Sequence, residues 1–231
     1  MVMGVGYNPR IVTDGLVLCL DAANKRSYPG SGTTWTDLKG GKTATLINTP
    51  TYSSDNAGIF SLSTNEYFQT NLNFSGYNYS NFSCSVWCKH GDRSGTTVNE
   101  LLVSNYAGTP IPFNLYAAGS NWNGQFVFYT RNNGYMELHS TTSIDDDNWH
   151  FCVATKSSDG THCVYVDGEL ENSTSSSVVT PHVTNSIVIG VLNVFLNSHY
   201  NGSIGGVSIY DRALTPDEIR QNYEATKGRY A

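Results

Sequence analysis

Hydrophobic residues along this chain recur mostly at every second position, which is the pattern of β-strands with one buried face. Residues 82–88 alternate in this way and predict a half-buried strand. Residues 16–20 are apolar throughout and predict a central strand that is covered on both faces. Polar segments containing Gly, Asn and Pro separate these runs, so we expect many short antiparallel strands.

Two hairpins are predicted from paired runs on either side of turn sequences. Residues 125–140 contain two alternating runs separated around Asn133-Gly134, and Asn-Gly favours a tight turn because both central residues adopt positive φ. Residues 150–167 contain two further runs, separated by a polar turn at residues 157–160.

One helix is predicted, near the C-terminus. Thr215 is a suitable N-cap, Pro216 fits the first helical position, and Glu218 completes a capping box. Ile219 and Tyr223 lie four residues apart and therefore share a face. Together these elements predict an all-β sandwich of two antiparallel sheets with one short C-terminal helix.

Composition excludes several classes of protein. The chain has 231 residues, 13 basic and 19 acidic, for a net charge of −6, and only 14% are charged against about 25% in an ordinary domain. Its apolar runs fall far short of the roughly 18 residues of a membrane helix, and its start lacks the pattern of a signal peptide. Without a basic run, nucleic acid is not an expected partner, and neither is a membrane.

The length predicts one large domain with a short arm. Gly4, Gly6 and Pro9 disfavour a helix at the start, so residues 1–13 form the predicted arm and residues 14–231 the sandwich. The five cysteines include no C-x-x-C pair, and their spacing does not suggest disulfides. We expect them to be small buried hydrophobic residues in a protein made in cytoplasm.

Four segments carry motifs in a particular order. They are W-H-F-C-V-A-T at 149–155, V-Y-V-D-G at 164–168, I-V-I-G at 187–190, and a closing N-G-S-I…Y-D-R-A-L-T-P-D-E-I at 201–219. These segments resemble the concanavalin A-like lectin/glucanase superfamily, in its laminin-G-like branch. The resemblance implies the jelly-roll β-sandwich of that superfamily.

The opening segment, residues 6–24, resembles laminin-G-like virion proteins of tailed bacteriophages, notably those of cyanobacteria. This resemblance implies a structural virion protein that is made in the host cytoplasm and is oligomeric in the assembly. We expect a capsid decoration protein that contacts the major capsid protein or tail components. The alternative is a tail-fibre or receptor-binding module for host-surface glycans. The residues expected to dock are Tyr7, Asn8, Pro9, Arg10 and Ile11.

Catalysis is not expected, although the superfamily includes glycoside hydrolases. Retaining enzymes of this fold carry E-x-D-x-x-E, and no glutamate here begins that motif. Glu169-Leu170-Glu171 follows a turn glycine and is interpreted as a solvated loop. A hydrolase is therefore the weakest alternative, and we predict no catalytic residue and no cofactor.

A glycan site is the second candidate chemistry, since sugar sites combine an aromatic platform with amide hydrogen-bonding groups. Trp122 and Tyr106, together with Asn121 and Asn123, have the required side chains, as do Tyr135 and Asn105. Packing of these aromatic residues in the fold is the competing interpretation.

Calcium is a third candidate, at the acidic run Asp145-Asp146-Asp147. Laminin-G-like relatives hold calcium at the rim of the sandwich, but calcium needs six to eight oxygens from several segments. The run directly precedes Trp149, where the family commonly has an ordinary polar turn. We therefore do not predict a metal site.

Overall fold

The structure is a computed structural model, and it describes residues 9–73, 80–91, 99–105, 111–117, 123–132, 134–177, 185–192 and 198–230. Within these residues, sixteen strands form two eight-stranded antiparallel sheets. The predicted all-β sandwich is confirmed, and so are both hairpins.

Each sheet mixes strands from distant parts of the chain. The first sheet contains, in spatial order, β14 (Glu169–Ser175), β13 (Thr161–Val166), β12 (Trp149–Lys156), β7 (Phe82–His90), β16 (Gly202–Tyr210), β5 (Ile59–Leu62) and β4 (Thr51–Ser53), with β1 (Leu16–Asp21) also paired to β16. The second sheet contains β11 (Tyr135–Ser143), β10 (Gln125–Arg131), β9 (Ile111–Ala117), β8 (Glu100–Ser104), β15 (Ser186–Ile189), β6 (Tyr67–Asn73), β3 (Thr43–Ile47) and β2 (Thr34–Thr36).

The main core lies between the two sheets and is rich in aromatic rings. Trp35 is fully buried between Phe60 and Phe68, with ring centroids 4.9 and 5.0 Å away. Phe82 of the first sheet meets Phe113 of the second at 5.0 Å. These contacts across the sandwich come from alternate positions of each strand, as the sequence pattern predicts.

The C-terminal helix α1 (Pro216–Thr226) begins at the predicted capping box, in which Thr215 and Glu218 each accept a hydrogen bond from the other's backbone N–H. Arg212 donates two hydrogen bonds to Glu218, and they lower the pKa of that carboxyl to about 2. A short 3-10 helix, Lys227–Arg229, follows. No helix among the described residues has the length and apolar character needed to cross a membrane.

The outer face of the first sheet is covered by this helix, and two strands of the sheet differ from their predictions. Trp87 stacks on Tyr230 at 4.3 Å and on Tyr223 at 5.8 Å, and its Nε1 donates to Thr226 Oγ1 over 2.9 Å. Strand β7 is consequently buried on both faces, where alternation predicts one. Strand β1 is covered as predicted, but it is not central, because it pairs only with β16 among the described strands.

The described part of the arm is held by the same chain. The Val12 N–H donates to Asn222 Oδ1 over 2.7 Å, and the Tyr210 hydroxyl donates to Val12 O over 3.0 Å. Ile11 is half-buried, whereas Pro9 and Arg10 are exposed. The other two predicted docking residues, Tyr7 and Asn8, lie outside the described residues, and docking onto another protein stays a prediction.

Glu171 corrects the interpretation of residues 169–171 as a solvated loop. These residues begin strand β14, and the Glu171 carboxylate accepts four hydrogen bonds, from the N–H and hydroxyl groups of Thr141 and Thr142 in β11. Burial opposes ionisation, yet these bonds hold the pKa of Glu171 below its usual range. The two edge strands β11 and β14 are thereby joined across the side of the sandwich.

The five cysteines are free thiols, and all except Cys163 are buried. Cys88 and Cys152 come closest, with their sulfurs 3.8 Å apart across β7 and β12. Burial raises the pKa of Cys152 well above its usual value, so its thiol stays protonated.

The buried amide of Asn222 gives a test of how the arm is anchored. Asn222→Ala removes the acceptor of the Val12 N–H and the donor to the Tyr210 hydroxyl. We expect the free energy of unfolding to fall by about 2 kcal/mol, because buried polar groups lose their partners. Urea unfolding followed by tryptophan fluorescence measures the change.

Gln221→Ala is the matched control, since it removes an exposed amide that reaches Arg10 O from the same helix. Its expected effect is below about 0.5 kcal/mol. Equal losses in the two variants would contradict the proposed role of Asn222 as the anchor.

Candidate functional site

The outer face of the second sheet carries an aligned row of polar side chains. Cross-strand pairing places Ser104, Asn114, Tyr129 and Glu137 directly opposite one another on β8, β9, β10 and β11. Tyr116 lies two residues from Asn114 and therefore projects from the same face. The alternate residues of these strands, such as Phe113 and Phe128, fill the core.

Three tyrosine rings form a continuous surface over strands β9 to β11. Tyr129 contacts Tyr116 edge-on at 6.3 Å and stacks on Tyr135 at 6.3 Å with an interplanar angle of 20°. Tyr135 is 70% exposed. Burial raises the pKa of Tyr129, so its hydroxyl remains protonated and able to donate a hydrogen bond.

Polar groups beside the rings are fixed by hydrogen bonds. The buried Ser104 hydroxyl donates to Asn114 Oδ1 over 2.8 Å, and Asn114 Nδ2 donates to the Tyr116 hydroxyl over 3.0 Å. On β11, His139 Nε2 lies 2.7 Å from Glu137 Oε1. We call Asn114, Tyr116, Tyr129, Tyr135 and Glu137 the tyrosine face.

The residues predicted to bind glycans are placed only in part. Tyr106, Asn121 and Trp122 lie outside the described residues. Asn123 is exposed, with φ of 52°, in the turn that leads into β10. Asn105 is buried, and its Nδ2 donates to Asn185 O over 3.2 Å.

Tyr135 was the one predicted aromatic residue that belongs to the tyrosine face; Tyr116 and Tyr129 were missed. The alternation of Phe126, Val127, Phe128 and Tyr129 carries the relevant signal, because it places Tyr129 opposite to the core phenylalanines. The cross-strand register that aligns Tyr129 with Asn114 and Glu137 cannot be read from one strand alone.

The three carboxylates of the acidic run at 145–147 each have different partners. Asp145 Oδ1 lies 2.9 Å from His90 Nδ1, and Asp147 Oδ1 lies 3.2 Å from Lys89 Nζ. Asp146 accepts hydrogen bonds from Asn148 and contacts His150 Nε2 at 3.1 Å. Within the described ranges, no group of three or more His, Cys, Asp or Glu side chains is arranged to hold a metal ion.

His90 is enclosed by acidic groups at the end of β7. Its ring is 1% exposed, with Nε2 3.1 Å from Glu100 Oε2, and it stacks on Tyr200 at 5.6 Å. Glu100 also accepts a hydrogen bond from the Asn201 N–H over 2.7 Å. The imidazole therefore joins β7 to two carboxylates, Glu100 on β8 and Asp145 after β11. We call such a cluster of one histidine and two carboxylates a clamp.

His150 forms a second, partly buried clamp. Its Nδ1 lies 2.8 Å from Asp167 Oδ2, while the other oxygen of Asp167 accepts the Phe151 N–H. Burial alone would lower the pKa of His150, but the contacts with Asp167 and Asp146 outweigh it and raise that pKa to about 9. The Asp167-Gly168 turn has positive φ at both residues, 53° and 85°, so the tight turn of the motif also fixes a charged histidine.

A family model described as the concanavalin A-like lectin/glucanases superfamily, of laminin G type, matches residues 62–220. Human adhesion G-protein coupled receptor D1 is 31% identical over 149 residues, which are 63% of this chain and 16% of the receptor. The chain therefore spans less than a fifth of the length of that receptor.

Solved structures with the same fold include two botulinum neurotoxin domains. The serotype D ligand binding domain in complex with N-acetylneuraminic acid has a TM-score of 0.71 at 19% identity, over 91% of this chain and 51% of that one. The type DC binding domain in complex with rat synaptotagmin II has a TM-score of 0.70 at 14% identity, over 92% and 52%. This chain thus spans about half of each neurotoxin chain.

The raised pKa of His150 makes part of the stability depend on pH. The pKa of this histidine is about 6.5 in the unfolded chain and about 9 in the folded protein. Its protonation therefore stabilises the folded state fully below pH 6.5, and this stabilisation is lost as the pH rises through 9. Compared with His150→Asn, the wild-type protein should be more stable by about 1–2 kcal/mol at pH 6, after allowance for solvent screening. The difference should shrink by pH 10.

Urea unfolding of both proteins from pH 6 to pH 10 measures this difference, because other titrating groups are common to both and cancel. If the difference in the free energy of unfolding stays constant over this range, a protonated His150 in the folded protein is contradicted.

Proposed function

The chain belongs to the concanavalin A-like lectin/glucanases superfamily, and on that premise we propose that it is a non-enzymatic carbohydrate-binding module whose glycan lies on the tyrosine face. The observation that carries the proposal is the continuous surface of Tyr116, Tyr129 and Tyr135 beside fixed amide and carboxylate groups.

The chemistry of this face matches that of a sugar. A pyranose presents apolar C–H groups on its faces and hydroxyls at its edge, and tyrosine offers a rigid ring with a polar tip at little entropic cost. Glu137 can accept hydrogen bonds from sugar hydroxyls, and Tyr129 can donate one. Few specific polar groups around an apolar platform are typical of small-molecule sites.

A structural neighbour and the composition of the chain both support a glycan ligand. The serotype D neurotoxin domain, which shares this fold, was solved with N-acetylneuraminic acid. Only 14% of the residues are charged, which favours ligands that are recognised by hydroxyl and amide groups.

Binding without turnover is proposed because the nearby carboxylates are already engaged. A retaining glycosidase needs two carboxyl groups about 5–5.5 Å apart on either side of the scissile bond. Glu137 is paired with His139, and Glu171 accepts four hydrogen bonds from β11. These contacts support structural and binding roles for Glu137 and Glu171.

Substitution of the exposed tyrosines tests the proposed glycan site. A glycan array identifies the preferred sugar, and calorimetry with that sugar then compares wild type with Tyr129→Ala and Tyr135→Ala. We expect each substitution to weaken binding about three- to tenfold, because each removes an aromatic contact. Chromatography of the bound oligosaccharide after long incubation should show no cleavage.

Tyr67→Ala is the matched control, since Tyr67 lies on the same sheet at β6 and outside the tyrosine face. Absence of any array signal, or equal affinity of all variants, would refute glycan binding at this face. Cleavage of the oligosaccharide would refute the non-enzymatic assignment.

We also propose that the module is carried on a tailed-phage particle, as a capsid decoration or, alternatively, a tail-fibre component. This proposal rests on the sequence resemblance of residues 6–24. Exposure of Pro9 and Arg10 is compatible with docking of the arm onto another virion protein.

Two truncations of the arm test this docking, one that keeps the hydrogen bonds of Val12 and one that removes them. Removing residues 1–8 retains the hydrogen bonds of Val12 to Asn222 and Tyr210, whereas removing residues 1–13 eliminates them. The shorter deletion should leave the melting temperature unchanged and abolish incorporation into particles. Particles that still carry this truncated protein would contradict the docking role.

A further inference from the structure

The outer face of the first sheet, opposite to the tyrosine face, contains a cavity of about 820 Å³. The arm, the end of α1 and the loop after β1 surround it. Its size lies within the range of about 300–1,000 Å³ that is usual for sites of small ligands.

The cavity exists because the sheet beneath it carries small side chains. Cross-strand pairing aligns Cys19, Ser208 and Ser85 on β1, β16 and β7, and Gly206 follows in the next row. In that next row, Trp87 and Phe151 are bulky and support the helix from below. The covering layer therefore rests on the aromatic residues and leaves space above the small ones.

The mouth of this cavity is positively charged. Arg10 and Arg26 both line it, and within the described ranges neither has a carboxylate within ion-pair distance. In contrast, Arg212, Arg220 and Arg229 are each paired. Two unpaired guanidinium groups beside one cavity are notable in a chain with a net charge of −6.

Among the described residues that line the cavity, Asp21 is the one acidic side chain. Asp21 pairs with Arg229 at 2.7 Å. The buried Asp37 accepts hydrogen bonds from the N–H groups of Cys19, Lys39 and Gly40. Asp37 does not line the cavity, so Arg10 and Arg26 give its described lining an excess of positive charge, while Leu38 and Tyr210 supply apolar wall.

We propose that this cavity binds an amphipathic anion, with a carboxylate or sulfonate head between Arg10 and Arg26 and an apolar body over Leu38, Tyr210 and the small-residue floor. Guanidinium groups suit such heads because two parallel N–H donors match two oxygens of one anionic group. An apolar body of about ten carbons fits the available volume and gains from leaving water. This site is separate from the tyrosine face and does not depend on glycan binding.

Binding of decanoate to the full chain tests the site, with decyltrimethylammonium as the probe of opposite charge, both below their aggregation concentrations. Calorimetry should show saturable binding of decanoate alone, weakening as salt rises. Arg10→Ala and Arg26→Ala should each lower the affinity about tenfold, as expected for loss of a charge-assisted hydrogen bond.

Arg220→Ala is the matched control, because it removes an exposed arginine of α1 that does not line the cavity. Ser208→Leu fills the floor and should abolish binding, with a thermal unfolding scan to verify the fold. Tyr135→Ala should retain decanoate binding. Equal affinity for both probes, or affinity unchanged by both cavity arginine variants, would overturn the proposal. A dimer that Ser208→Leu disrupts would do so too, since a second copy would then be the occupant.

Discussion

The structure depends on covering a sheet that is apolar on both faces. Strands β1 and β7 place Leu18 and Phe82 in the core between the sheets, but they place Cys19 and Trp87 on the opposite face. Left in water, that second apolar face would cost stability in proportion to its area. Helix α1 and the arm form a third layer that covers it, and the Trp87–Tyr230 stack at 4.3 Å lies at its centre. The N- and C-terminal parts of the chain are therefore structural elements of the domain.

This division also explains why the second sheet needs no covering helix over the proposed glycan site. Its outer face carries polar side chains such as Thr45, Gln69 and Tyr129, which are at least partly exposed to water, while the buried Asn114 is satisfied by Ser104 and Tyr116. Glu171 joins its edge strand β11 to β14, so the tyrosine-bearing strands are held at a closed side of the sandwich. A rigid, polar and aromatic face is thus a consequence of which sheet receives the helix.

Local patterns predicted the local structure well. The capping box of Thr215 and Glu218 and both hairpins follow from interactions within a few residues of sequence. Features set by distant strands were not predictable in the same way. Alternation in β7 predicted one buried face, because nothing in residues 82–88 indicates that Tyr223 and Tyr230 will cover the other. Glu171 was misinterpreted since its four donors come from another sheet, thirty residues earlier in the chain. The tyrosine face required the register between strands, whereas the candidates chosen by residue type alone, Tyr106 and Trp122, lie outside the described residues.

The small residues Ser85 and Ser208 show that the covering layer does not maximise packing. A well-packed interior fills space to crystal-like density, and bulkier side chains at these two serines would close part of the volume beneath the arm and helix. Gly206 is different, because a Cβ there would lie 2.9 Å from Leu20 O. The layer is supported on aromatic residues at one side and held by the hydrogen bonds of Asn222 at the other, which is enough to bridge an open space. A cavity kept open in this way forgoes burial of apolar surface, and within the described ranges the two exposed arginines that line it have no carboxylate partner. An anion with an apolar body accounts for both features. Its apolar body would fill the space above the serines, and its head would pair with the two arginines.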